Sequence, residues 1–332
     1  MKPILLQYYI TNRCNSRCIF CSIWKEQPKV DAALSDVLQN VSAARRAGCR
    51  FVDFTGGEPL LHPNLDVFLK EAKHCGFITS VTTNCILFKE QVKKLRGLVD
   101  LLHFSIDADT EMLHNEIRGV DSYKNVMESI PVALANDLVP DLLFTYSDRT
   151  IDAFEGIYEI ARKNKLMIIL DPLFALEGPD TVSWKTHRKA LAYSKRPGVY
   201  CNKAHISLRK KGGNHSSAHL CRAVATTIIV LPTNCIALPC FHHAFSTVPI
   251  EGSLCDALNK PERKDALVMQ GRYPFCEGCH INCYFDPSYL SMRSILFIQS
   301  MNAKLWYAMT KYLFYKRPFP RKFLNLKERT VV

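Results

Sequence analysis

A chain of 332 residues, 48% of them apolar, is long enough for an α/β barrel with an appendage and can bury a sizeable core. It shows neither the basic and apolar regions of a secretory signal nor an uncharged apolar run of the about 18 residues a membrane span needs. A cytoplasmic protein is therefore expected, in which 14 cysteines point to metal or redox use rather than a disulfide framework.

Residues 4–10 are apolar and aromatic and read as a buried strand. The loop after it holds Cys14, Cys18 and Cys21 in the spacing C-x3-C-x2-C, with Phe20 just before the third cysteine. Thiolates are the soft ligands that iron–sulfur clusters require, and a [4Fe–4S] cube on three cysteines keeps one iron open for another ligand. Zinc is the competing reading, but structural zinc wants four ligands in two separated pairs, and no further Cys or His follows until Cys49. A helix over residues 32–47, stopped by Gly48, leads to a strand at 51–55 that runs into Gly56-Gly57-Glu58-Pro59. Glycines let backbone approach a ligand closely, and the adjacent carboxylate can receive an ammonium group.

The three-cysteine loop and this Gly-Gly-Glu-Pro turn together resemble the radical SAM superfamily. The resemblance implies a partial (β/α)6 barrel. It also implies that the open iron chelates S-adenosylmethionine (SAM), whose amino group meets Gly56, Gly57, Glu58 and Pro59. One electron, from a donor such as flavodoxin or ferredoxin, would cleave SAM to methionine and a 5′-deoxyadenosyl radical that takes hydrogen from an unactivated C–H bond. In the strand at 78–84, Cys85 stands where the family usually has glycine; a tolerated small residue is the expected reading. The strand at 101–107 places Ser105 and Asp107 at its end, where the family holds the SAM carboxylate or ribose. His114, Ile117, Arg118 and Gly119 resemble a family segment in which Arg118 meets a carboxylate, the alternative being a salt bridge to Asp107 or Glu111. Strands near 142–146 and 167–170 complete a parallel sheet of six strands alternating with helices.

Residues 171–218 read as a linker wrapped on the rim, closing a first domain at 1–218. Cys221, Cys240, Cys276 and Cys279 follow in residues 219–287, with a strand at 226–231. Two separated pairs also suit a zinc ribbon, so spacing alone does not name the metal. This region resembles the twitch and SPASM auxiliary-cluster domains, which implies a second [4Fe–4S] cluster on those four residues. Cys235 then falls on a turn glycine and is no ligand, and Cys255 and Cys283 are spare.

Residues 288–332 hold nine Lys/Arg against one Glu and an apolar helical pattern that includes Trp306. That composition suits an interfacial membrane anchor, or else a helix docked on the barrel with a solvated basic face; nucleic acid is disfavoured for want of a recognisable binding module. For the substrate, the tail suggests an apolar or carboxylate-bearing small molecule. Residues 3–14 and 276–284 look similar to pigment-pathway enzymes that oxidise the C-7 methyl of bacteriochlorophyllide to a formyl group. Peptide maturases and sugar-alcohol dehydrogenases are the alternatives within the superfamily, and a non-catalytic zinc scaffold is the alternative outside it.

Overall fold

The computed structural model describes residues 2–175, 181–291 and 294–317. Six βα units come first: β1 (Leu5–Thr11), α1 (Leu34–Ala47), β2 (Phe51–Gly56), α2 (Leu65–His74), β3 (Ile78–Thr83), α3 (Phe88–Leu95), β4 (Leu101–Ser105), α4 (Glu111–Arg118), α5 (Tyr123–Ala135), β5 (Pro140–Tyr146), α6 (Phe154–Asn164) and β6 (Ile168–Pro172). The segment read as a linker is ordered instead, with α7 (Trp184–Tyr193), β7 (Val199–Tyr200) and α8 (Lys203–Lys210). Its prolines and glycines separate short elements rather than dissolve them. Then come α9 (Ala223–Thr226), β8 (Thr227–Val230), β9 (Cys235–Pro239), β10 (Ala244–Pro249), α10 (Leu254–Ala257), α11 (Pro261–Met269), α12 (Asn282–Tyr289) and α13 (Ile295–Ala308).

The strands form one sheet in the order β10-β9-β8-β1-β2-β3-β4-β5-β6-β7. β8 pairs parallel with β1, so the strand expected to open a separate domain continues the barrel's sheet, and no break in the sheet marks a boundary at residue 219. β9 and β10 then add an antiparallel hairpin. The sheet is open, with β7 and β10 as its edges.

The two faces of the strands differ in polarity. Leu6, Tyr8, Val52, Phe54, Val81, Leu102, Phe104, Leu142, Phe144, Ile168 and Leu170 are wholly buried on one face, in the main hydrophobic core. The other face is mixed: Gln7, Asp53, Ser80, His103, Asp141 and Asp171 stand there among Tyr9, Ile78, Leu143 and Ile169. A parallel sheet packed on both sides reads as a continuous apolar run; the charged and polar residues on the inner face interrupt that run, as a face lining a ligand space would. Helices cover the outside, as in α1, where Val37, Val41 and Ala44 recur at helical spacing and are fully buried.

Candidate active site

The cysteine loop leaves the carboxyl end of β1, where α/β folds place ligands, and is fastened from two sides. On one side Gly57 N–H donates to Thr11 O (2.8 Å) and Glu58 N–H to Arg13 O (2.8 Å). A Cβ on Gly57 would stand 1.9 Å from Arg13 O and 3.0 Å from Cys14 Cβ. The glycines thus admit the cysteine loop itself, one chain segment against another, a closer constraint than the ligand approach expected of them. On the other side Arg17 N–H donates to Arg118 O (2.9 Å) and Ile19 N–H to Ile117 O (3.0 Å), which ties the loop to the end of α4. Asn84, at the end of β3, donates to Asn15 Oδ1 (2.7 Å) and Ser16 Oγ (2.8 Å).

Glu58 is buried and fully engaged. It accepts from Leu60 N–H (3.1 Å), Thr83 Oγ1 (2.8 Å) and Asn84 N–H (2.9 Å), so it braces the turn against β3. Burial raises its pKa against the pull of those donors. Cys85 sits at φ +69°, wholly buried, in the left-handed region that a glycine adopts freely, and burial pushes its thiol up.

Arg118 is the electrostatic centre. Its Nε lies 2.5 Å from Asp107 Oδ2, its Nη1 lies 3.7 Å from Cys18 Sγ, and its guanidinium stands over the Phe20 ring. Of the two partners expected for Arg118, Asp107 is thus the one it takes. Asp107's backbone N–H donates to His114 Nδ1 (3.2 Å), and Ser105 is buried just before it at the end of β4. Burial pushes the Cys14 thiol up to about 12 and raises Cys18 and Cys21 as well, while Arg118 opposes it most strongly at Cys18. Metal binding would expel those protons. The three thiols lie close enough to raise one another's pKa. Among the described residues, no three His, Cys, Asp or Glu side chains converge on a single-ion site. Three thiols on one pinned loop, with a buried cation beside them, fit a cluster with an open side and an anionic group bound next to it.

The nearby Thr145 backbone N–H draws the Asp107 pKa down, and Thr145 lines a cavity of about 340 Å³. Its walls include Asp171 and Pro172 from β6, Tyr200 from β7, His205 from α8, Cys283 and Asp286 from α12, and Phe174. Asp286 pairs with Lys304 (2.8 Å) and accepts from Asn202 (2.6 Å), which holds it below the usual carboxylate range despite burial. Asp171 is pushed up to about 6 by burial and then by the Asp286 charge. Cys283 faces this open cavity, where burial, and Asp171 after it, pushes its thiol up to about 12.

The second cysteine set also comes together. Cys221, Cys240, Cys276 and Cys279 line one cleft with Ile281 and Tyr284. Burial raises the Cys221 thiol well above its ordinary value, and Cys279, Cys240 and Cys276 add to the shift. Asn214 binds the Cys221 segment to the Cys276–Cys279 segment. Its Nδ2 donates to Gly271 O (2.7 Å) and Cys276 O (3.0 Å), and its Oδ1 accepts from Leu220 N–H (2.8 Å) and Cys221 N–H (3.2 Å). Next to it, a Cβ on Gly213 (φ +88°) would stand 2.2 Å from Gly278 O. Cys235 begins β9 while Cys240 follows its end, a separation of roughly 16 Å along a strand, which keeps Cys235 out of the cleft. Cys255 lies against α1, with its thiol toward Ala43 O. A stacked pair, Tyr9 and Phe241 with ring centroids 3.9 Å apart, joins β1 to the segment after Cys240.

Residues 8–161 match the Radical SAM superfamily model. Those residues are a radical SAM domain. The probable GTP 3′,8-cyclase of Saccharolobus solfataricus is 34% identical over 139 residues, which are 41% of this chain and 45% of that protein. The one from Sulfurisphaera tokodaii is 30% identical over 160 residues, 47% of this chain and 51% of that protein. The chain thus spans about half the length of the curated relatives it matches. Streptococcus suis SuiB bound to its precursor peptide SuiA superposes with a TM-score of 0.66 at 17% identity, over 88% of this chain and 74% of that one. The enzyme anSMEcpe with bound AdoMet and a peptide gives 0.62 at 13% identity, over 97% and 99%. At those identities the likeness shows the fold alone.

Cys14, Cys18, Gly57, Glu58, Asp107 and Arg118, all singled out in the sequence, lie together around the cysteine loop. The cavity was missed: Asp171, Tyr200, His205 and Asp286 carry no motif, and only the period-2 placing of Asp171 in its strand hinted at an inner face. Asn214 was hidden inside the apparent linker, where the two glycines before it were the only signal of a tight approach.

Proposed function

We propose that the chain is a radical SAM oxidoreductase acting on a C–H bond of a small molecule held in the cavity beyond β5 and β6. The carrying observation is that Thr145, which lines this cavity, lies close enough to Asp107 to shift its pKa, and Asp107 pairs with the Arg118 that abuts the three-cysteine loop. Cys14, Cys18 and Cys21 would hold the first [4Fe–4S] cluster, and Cys221, Cys240, Cys276 and Cys279 a second. When bound, the first cluster and SAM supply the radical chemistry. Arg118, fixed by Asp107, offers a buried cation to the SAM carboxylate. The Gly56–Pro59 turn, held rigid by Glu58, would face the SAM amino group. Phe174 and Tyr200 keep water from the substrate. Asp171, with its pKa near neutrality, can take a proton from a hydroxyl or ammonium group as the neighbouring carbon is oxidised.

The carboxylates of this cavity favour a hydroxylated or amine-bearing substrate, including a peptide side chain such as those the structural neighbours engage. They disfavour the triphosphate of GTP, on which the relatives are named to act. A second reading is oxidation of the C-7 methyl of a bacteriochlorophyllide. It is favoured by another cavity, of about 380 Å³ beside the cysteine loop, lined by Tyr9, Ile23, Leu231 and Phe241. The test is 5′-deoxyadenosine release by anaerobically reconstituted protein. Stimulation by polyols, amines or peptides, lost in Asp171→Asn, supports the first reading; stimulation only by the carboxylated macrocycle supports the second. Release that no compound stimulates and that Asp171→Asn leaves unchanged would sink the assignment of the cavity.

A further inference from the structure

Helix α13 lies on the barrel with Leu296, Ser300 and Lys304 inward. Lys304 Nζ reaches Asp286 (2.8 Å) and Ser300 Oγ (2.7 Å). Beyond it, in the π-helical turn Met309–Phe314 that continues α13, Lys311 Nζ meets both oxygens of Asp141 (2.7 and 2.8 Å), and Tyr307 OH donates to the same carboxylate. Lys304 is the only charged residue of α13, so the outer face carries no charge. It presents Ile295, Ile298, Leu305, Met309 and Leu313, each 44–68% exposed, in one stripe with Trp306 at its edge and the uncharged Asn302 within it. A helix on a protein in water turns such a stripe toward the core, and contiguous exposed apolar patches mark contact surfaces.

What covers the stripe is indicated by the segment that follows it. Residues 315–332 hold six Lys/Arg against one Glu, with Phe319, Phe323 and Leu324 among them; Arg317 is bound to the Asn164 and Lys165 carbonyls, which leaves five cations for an outside partner. An apolar stripe needs an apolar phase, and the adjoining cations need an anionic one. A lipid surface with acidic headgroups supplies both, and the two signals together give stable binding where either alone is marginal. A second copy of the chain would cover the stripe only by bringing two strongly basic tails together. Among the described residues no helix is long and apolar enough to cross a membrane, so the contact would lie along the surface.

We propose that the outer face of α13, with the basic segment after it, docks the protein on an anionic lipid surface. The test is co-sedimentation of the full-length reconstituted protein with vesicles of phosphatidylcholine alone or with about one third phosphatidylglycerol. Partition into the anionic vesicles should be at least about tenfold higher and should fall as salt is raised. Leu305→Gln with Leu313→Gln, and separately Lys316→Ala with Arg321→Ala and Lys322→Ala, should each abolish it while SAM cleavage in solution is kept. Equal partition into both vesicles, or none into either, would overturn the proposal. So would a dimer in solution that the double Gln variant disperses.

Discussion

The two cysteine sets are built in opposite ways. Cys14, Cys18 and Cys21 lie within one loop, and the fold's work there is to hold that loop still, by backbone bonds to the Gly56–Gly57 turn on one side and to the end of α4 on the other. Cys221, Cys240, Cys276 and Cys279 come from three separate stretches of chain, and the fold's work is to bring those stretches together: Asn214 joins the Cys221 stretch to Cys276–Cys279, and Tyr284 OH, accepting from Phe241 N–H, ties in the Cys240 stretch. A local set depends on close approach of backbone; an assembled set depends on a staple. The two should therefore fail separately.

The largest effect is expected from Gly57→Ala. Its Cβ would overlap Arg13 O, so the loop must move. Iron content should drop by close to half and 5′-deoxyadenosine release should stop, with the second set still loaded. Retention of full iron would show that the loop does not depend on that approach.

Arg118→Met comes next. It strands the buried Asp107 carboxylate, and removing one partner of a buried pair costs about 3–5 kcal/mol; a urea titration reads this directly. A loss below about 1 kcal/mol would mean the pair is solvated like a surface one.

Asn214→Ala sharpens the contrast from the other side. It leaves buried carbonyl and N–H groups without partners, at about 1–3 kcal/mol each for those that water cannot reach. Iron should fall by close to half while SAM cleavage by the first set persists. Loss of both clusters together would erase the distinction between the sets.

Asp171→Asn should have the smallest effect, and it depends on pH. The folded carboxyl titrates at about 6, against about 4 unfolded, so ionisation is disfavoured by the fold. Relative to the variant, the native protein should lose about 1–3 kcal/mol of stability as pH rises from about 4 to about 6, and no more above that. A difference that stays flat across this window would place Asp171 in contact with water or with a cation.

The first set was legible in the sequence because its chemistry is consecutive: the spacing of Cys14, Cys18 and Cys21, the Gly-Gly-Glu-Pro turn and the apolar periodicities of β1 to β6 are all local signals. Glu58 was legible as a residue but not in its role, since three donors from Leu60, Thr83 and Asn84 can be counted only once β2 and β3 are side by side. Residues 171–218 were misread because prolines and glycines between short helices look like those of a loop. The joining of β8 to β1 is a contact between residues more than 200 apart, on which no local pattern bears. The basic tail was read from composition alone. Composition could not show that Lys304 and Lys311 turn inward while Leu305 and Leu313 face out.

The most direct test of the central claim is the iron and sulfide content of anaerobically reconstituted protein, taken beside two triple variants, Cys14/Cys18/Cys21→Ala and Cys221/Cys240/Cys276→Ala. About eight irons are expected in the native protein and about four in each variant, with 5′-deoxyadenosine released by the second variant and not by the first. One equivalent of zinc with no iron, or SAM cleavage that survives loss of the first three cysteines, would contradict it.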